Sequence, residues 1–260
     1  MSVRSIGFIG GGRVARILLG GLERAGVSPA KCVVSDTNAS VLDALKKRFP
    51  LITTSGNDLD APARQEVVFG ALHPPAMKEA LPRIGTQLGS EALFVSLAPV
   101  IRIPALKTAL GGFARVARMI PNAPSIVGSG FNPIAFAPEI AHDVKNEILA
   151  WLEALGECPE VPDDHLEAYA ILTAMGPTYF WYQFEELQNL GKEFGLDEET
   201  IRHALPRMLE GGVKTFFESG MPPDQVVDLI PVKPLESSEN NVRDAYQTKL
   251  RGLYEKLTQR

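Results

Sequence analysis

Along the first half of the chain, short unbroken apolar runs alternate with segments in which apolar residues return every three or four positions. Residues 5–9, Ser-Ile-Gly-Phe-Ile, form the first run, and a turn of three glycines leads from it into a helical pattern over residues 14–25. A second run, residues 31–36, ends on Asp36, and residues 40–49 follow with Val41, Leu42, Leu45 and Phe49 at helical spacing. Residues 66–72, 93–97 and 113–119 read as a third, fourth and fifth strand, with a helix over 75–81. Strands that are apolar throughout are covered on both faces, so the pattern predicts an α/β fold with a Rossmann-type doubly wound parallel sheet.

Beyond Pro162 the strand signals stop, and residues 163–175, 178–194, 198–219 and 242–257 all carry helical periodicity. Asp163 or Asp164 is placed to cap the first of these helices. Gly176-Pro177 breaks or kinks it, and Gly220-Met221-Pro222-Pro223 ends the third. The expected organisation is a dinucleotide-binding domain over 1–160 and an all-helical domain over 161–260, with the boundary near Glu160. A length of 260 residues suits two domains.

Composition narrows the function classes. The hydrophobic share of 45% and charged share of 22% are those of an ordinary globular protein. A net charge of −5 without any Lys/Arg run argues against a nucleic-acid partner. The cysteines, Cys32 and Cys158, form neither a disulfide framework nor a cluster with metal-ligand spacing, so no metal is expected and a reducing cytoplasm fits. The opening apolar run is too short for a signal segment or a membrane span.

Gly10-Gly11-Gly12-Arg13-Val14-Ala15 is a GxGxxA fingerprint lying between an expected strand and an expected helix, the context in which it marks dinucleotide binding. Gly10 permits the tight turn, Gly12 lets backbone approach the pyrophosphate, and Ala15 allows close helix packing, with Arg13 and Val14 in the first helical turn. Asp36 stands where a ribose-binding carboxylate belongs and favours NAD. Ser35, Thr37 and Asn38 offer hydrogen bonds to a 2′-phosphate and Arg13 a cation, so NADP stays open. Ligands bind at the carboxyl edge of such sheets, which adds Leu72 at the end of the third strand, His73 and Pro74 just after it, and Ala98 after the fourth. Histidine is the residue type suited to proton transfer near neutral pH, so His73 is a candidate proton donor. No triad, paired carboxylates or metal cluster stands out, which suits chemistry carried by a cofactor.

The segments Gly7-Phe8-Ile9-Gly10-Gly11-Gly12-Arg13-Val14-Ala15 and Arg118-Met119-Ile120-Pro121-Asn122-Ala123-Pro124 resemble pyrroline-5-carboxylate reductases. The likeness continues through Gly128-Ser129-Gly130 and through residues 172–179, covering nearly the whole chain. It implies a reductase that takes a cyclic imine to proline with NADH or NADPH, a small-molecule substrate, and a helical domain that interleaves with its twin in a homodimer. It also implies an active site between the two domains, with Asn122 near the nicotinamide and Thr173, Ser237 and Ser238 supplying hydroxyls. Lys233 is then a possible anion contact.

Three departures fall where the family binds substrate. The family's Ser-Gly-Ser-Gly-Pro-Ala-Tyr reads Thr173-Ala174-Met175-Gly176-Pro177-Thr178-Tyr179, replacing a serine by a bulky thioether. Its Ser-Pro-Gly-Gly-Thr-Thr loop reads Lys233-Pro234-Leu235-Glu236-Ser237-Ser238, without glycines and with an added acid. Its Lys-Pro after the third strand is His73-Pro74. A related enzyme for another imine or carbonyl, and a dinucleotide-binding protein without turnover, are the alternative expectations. Hydroxyacid dehydrogenases of similar architecture carry a lysine soon after the corresponding glycine, whereas here Gly176 is followed by residues 177–183 without one, and Lys192 comes late. The aromatic run from Tyr179 to Phe184 is expected to pack a dimer core, and residues 243–260 to form a solvated helix.

Overall fold

The computed structural model describes residues 3–27 and 29–258. It begins β1 (Ser5–Ile9), α1 (Arg13–Arg24), β2 (Lys31–Ser35), α2 (Ala39–Arg48), β3 (Thr53–Thr54), α3 (Asp60–Ala63), β4 (Val67–Gly70) and α4 (Pro74–Gly85). It continues with β5 (Leu93–Ser96), α5 (Ile103–Ala109), β6 (Val116–Met119), a 3₁₀ turn (Ala123–Val127), β7 (Gly130–Phe131), β8 (Ile134–Phe136), α6 (His142–Leu152) and β9 (Gly156–Glu157). Seven strands form the main sheet in the order β3-β2-β1-β4-β5-β6-β8. All pairings are parallel except the last, where β8 runs antiparallel to β6.

Consecutive strand residues point to opposite faces, and here both faces are packed, which is why the runs are apolar throughout. Phe8, Val34, Phe69 and Val95 belong to the core beneath α1, α2 and α6, whereas Ile9, Val68 and Phe94 belong to the core formed with α4 and α5. Phe8 and Phe69, paired in register on β1 and β4, stack with ring centroids 4.9 Å apart. The order reverses between β1 and β4, which begin the two halves of the doubly wound sheet.

The elements that went unread in the sequence include α5, α6 and the antiparallel strand β8. The fifth strand is also shorter than expected, since Val116 begins it and Arg115 lies outside, paired with Glu91 at 3.4 Å.

The chain divides into two compact units, one holding residues up to Met175 together with the end from Tyr254, the other Gly176–Leu253. The first unit thus runs past Glu160. Its last stretch is a 3₁₀ turn (Asp163–His165), α7 (Leu166–Tyr169) and a π-helical turn (Ala170–Ala174) instead of one regular helix. Pro162, not an aspartate, occupies the N-cap; the Asp163 carboxylate is engaged by Arg118 of β6 and by the backbone N–H of Ile103.

The second unit is helical: α8 (Thr178–Glu193), α9 (Glu198–Glu218), α10 (Pro223–Asp228) and α11 (Glu236–Ala245), followed by a π-helical turn (Tyr246–Leu250) and the start of α12 (Arg251–Thr258). Asp197 caps α9 by accepting from Thr200 N–H at 2.7 Å. Ile201 is buried against Gly191, where α8 and α9 meet.

Candidate dinucleotide site

The glycine turn joins β1 to α1. Gly10 has φ +102°, and a Cβ there would lie 2.5 Å from the Ala71 carbonyl oxygen, so both conformation and space require glycine. Its N–H donates to the Ser35 carbonyl at 2.8 Å. Gly12 is different: its φ is −70° and an added Cβ would meet nothing within 4 Å. The protein does not need glycine there, whereas a pyrophosphate seated on the turn does. No side chain caps α1 at Gly12 and its first turn holds no acidic residue, so the N–H groups and positive end of the helix face an anion site. Ala15 is fully buried against the sheet. These features fit the phosphates of a nicotinamide dinucleotide.

Asp36 braces the turn from the end of β2. One carboxylate oxygen accepts from Gly11 N–H at 2.9 Å and the other from Asn38 N–H at 2.8 Å. Asn38 in turn caps α2 by accepting from Ser40 N–H at 3.0 Å. Ser35 is fully buried, and its Oγ has no hydrogen-bond partner among the described residues. Gly10, Ser35, Asp36, Thr37, Leu72 and Ala76 are among the lining of a hollow of about 310 Å³. On the other side of the turn a cleft of about 650 Å³ gathers Gly11, Gly12, Arg13, Arg16, Arg48 and His73. Arg48 is paired with Glu23 at 2.6 Å. Carboxylate and guanidinium groups therefore flank the same turn. Val14 lies in the first turn of α1, and Pro74 begins α4 with exposed His73 as its N-cap.

The residues expected near the nicotinamide follow β5 and β6. Ala98 is buried just beyond β5. Asn122 is also buried and is held on both sides: its Oδ1 accepts from Phe131 N–H at 3.1 Å, and its Nδ2 donates to the Thr173 carbonyl at 3.4 Å. Its side chain thus ties the segment after β6 to the π-helical turn. The Thr173 hydroxyl donates to the Tyr169 carbonyl at 2.8 Å. Asn132 accepts from Asn122 N–H at 3.1 Å and from the Ser125 hydroxyl at 2.7 Å, completing a buried polar network under the 3₁₀ turn.

Ser237 and Ser238 belong to the second unit, exposed in the first turn of α11, with Lys233 and Leu235 exposed in the turn before it. The structure makes this segment a helix start, consistent with the loss of the family's glycines. Tyr179 meets Tyr246 edge-on at 5.6 Å, and desolvation, then the neighbouring Tyr246, raises its pKa.

Sequence reasoning missed a buried charged cluster. Arg118, with no solvent exposure, donates to Asp163 at 2.6 Å and to Glu167 at 2.5 Å, and Glu167 also accepts from Val100 N–H at 3.0 Å. The signal was an arginine inside an apolar strand, which demands acidic partners. Among the described residues no group of His, Cys, Asp and Glu forms a metal site, and no helix is long and apolar enough to cross a membrane.

A family model described as NADP oxidoreductase coenzyme F420-dependent matches residues 5–99, the stretch that carries the glycine turn and Asp36. Pyrroline-5-carboxylate reductase 1 of Bacillus spizizenii is 26% identical over 229 residues, covering 87% of this chain and 77% of that protein. Over most of its length the chain is similar to the pyrroline-5-carboxylate reductases. The reductase of Coxiella burnetii superposes with a TM-score of 0.69 at 26% identity, covering 99% of this chain and 95% of its own. The pyrroline carboxylate reductase of Plasmodium falciparum, solved with NADP bound, shares the fold with a TM-score of 0.79 at 20% identity, covering 99% of this chain and 96% of its own. These likenesses support an NAD(P)-dependent oxidoreductase.

Proposed function

We propose that this chain reduces a C=N bond with a hydride from NADH or NADPH, acting on pyrroline-5-carboxylate or a cyclic imine close to it. The observation that carries the reading is the uncapped N-terminus of α1 above Gly12, where open space replaces any packing need for glycine. The cofactor supplies the hydride. Gly10, Gly12, Arg13 and Val14 hold the pyrophosphate, and Ser35, Asp36, Thr37 and Asn38 meet the adenosine ribose or its phosphate. Leu72, His73, Pro74, Ala98 and Asn122 follow the carboxyl edge toward the nicotinamide. A protonated C=N takes the hydride at carbon, its π electrons pass to nitrogen, and the product is a neutral secondary amine. The protein's task is to align the reactants and exclude water. Thr173, Ser237 and Ser238 supply hydroxyls to the substrate, and His73 is the candidate proton donor.

The second unit leaves Phe180, Trp181, Phe194, Phe217, Ile230 and Val232 exposed, and this supports a homodimer built on these helices. Two cysteines kept as free thiols suit the cytoplasm. A second reading, reduction of a different imine or carbonyl, is favoured by the glycine-free segment around Glu236. Oxidation of NADH and of NADPH by purified protein, with pyrroline-5-carboxylate and then with other cyclic imines, separates them. Turnover with pyrroline-5-carboxylate is expected. Tight binding of reduced cofactor, seen by fluorescence, with turnover only on another imine would favour the second reading, and binding without turnover on any would leave a non-catalytic protein.

A further inference from the structure

Val100 lies in the loop between β5 and α5 with φ +80°, the one non-glycine residue among those described to have positive φ. For a β-branched side chain this conformation is strained, and it persists only where the surroundings impose it. The imposing contact is visible. Val100 N–H donates to Glu167 Oε1 at 3.0 Å, and the same oxygen takes a hydrogen bond from Arg118 at 2.5 Å. Arg118 and Glu167 are 0% and 1% exposed in their side chains. Arg118 is anchored a second time, to Asp163 Oδ1 at 2.6 Å and to its carbonyl at 3.2 Å, while Asp163 Oδ2 accepts from Ile103 N–H at 3.2 Å at the start of α5. The middle of the loop and its junction with α5 are therefore clamped by one buried ionic cluster, itself fixed to β6.

Ala98, two positions before Val100, is buried at the end of β5, on the half of the sheet beyond the β1/β4 reversal where the second half of a dinucleotide lies. We propose that Glu167 is a positioning residue: by holding Val100 in its strained conformation it sets the loop 97–101 as the wall against which the nicotinamide end of the cofactor is placed. This rests on the dinucleotide reading above. The chemistry is indirect, since Glu167 Oε1 bonds to the Val100 backbone and to Arg118, and its effect reaches the cofactor through the shape of the loop.

The test uses full-length protein and follows NADPH binding by fluorescence and imine-dependent NADPH oxidation. Glu167→Gln keeps an acceptor where Oε1 stands and is expected to bind and turn over NADPH nearly as the parent does. Glu167→Met removes the acceptor at similar volume and should raise the KM for NADPH about tenfold. Val100→Gly needs no brace, because glycine adopts positive φ freely, so in the Glu167→Met background it should restore most of that loss. Val100→Gly alone should raise the melting temperature, a readout available even if Glu167→Met does not fold. A double variant no better than Glu167→Met, or a Val100→Gly protein that melts lower, overturns the proposal, since a merely structural partner of Arg118 would not be relieved by a change at Val100. Failure of the parent protein itself to bind NADPH would instead overturn the dinucleotide reading.

Discussion

Gly10 and Gly12 stand two positions apart in one turn and are glycine for different reasons, which separates stability from binding. Gly10→Ala forces a side chain onto the Ala71 carbonyl at positive φ and is expected to cost roughly 2 to 4 kcal/mol, read by urea denaturation. Gly12→Ala meets open space, so its stability should stay within about 0.5 kcal/mol of the parent while dinucleotide affinity falls about tenfold or more by fluorescence titration. The cysteines make a pH prediction. Burial pushes Cys32 and Cys158 from the ordinary 9.0 up to about 12. The folded state then holds both thiol protons more tightly than the unfolded chain, so this contribution to stability is complete below pH 9 and is lost as pH rises toward 12. Alkylation by iodoacetamide at pH 8 should be slow in the native protein and fast in urea. The glycine signature was legible because its spacing reports backbone geometry directly. The actual hydrogen bonds of Asp36, to Gly11 and Asn38, were not, since they depend on where β2 delivers the side chain.

At the scale of elements, continuous apolar runs found β1, β2, β4 and β5 because a strand packed on both faces leaves no polar gap in the sequence. Two-residue β3 and three-residue β8 carry too little pattern to be seen, and α6 was hidden because only Ile148 and Leu152 of its surface are buried. The irregular helix after Pro162 has a tertiary cause: Asp163 and Glu167 are both recruited by Arg118, and a regular capped helix is exchanged for a 3₁₀ turn, one α-helical turn and a π-helical turn. Arg118→Met tests this. It strands two acids, one of them fully enclosed, and should destabilise the protein by about 3 to 5 kcal/mol in urea denaturation, with the NADPH affinity of the surviving folded fraction reduced through the loop at Val100.

For the molecule as a whole, the exposed apolar side chains of the helical unit lead to an expected association. Sedimentation equilibrium should give twice the monomer mass of 28.2 kDa, and Trp181→Glu, at a position half exposed in the monomer, should shift the protein toward the monomer. A monomer in the parent protein at micromolar concentration would end the dimer reading. The layered α/β half, the helical second half and the nucleotide turn were all readable from the chain, because periodicity, glycine spacing and turn chemistry are local properties that each segment carries alone. The buried ion cluster, the strained Val100, the amide bridge of Asn122 and the division at Gly176 were not, because each depends on residues tens of positions apart meeting in a low-dielectric interior. There an unpaired charge or a relaxed loop would cost more than the local preference it overrides.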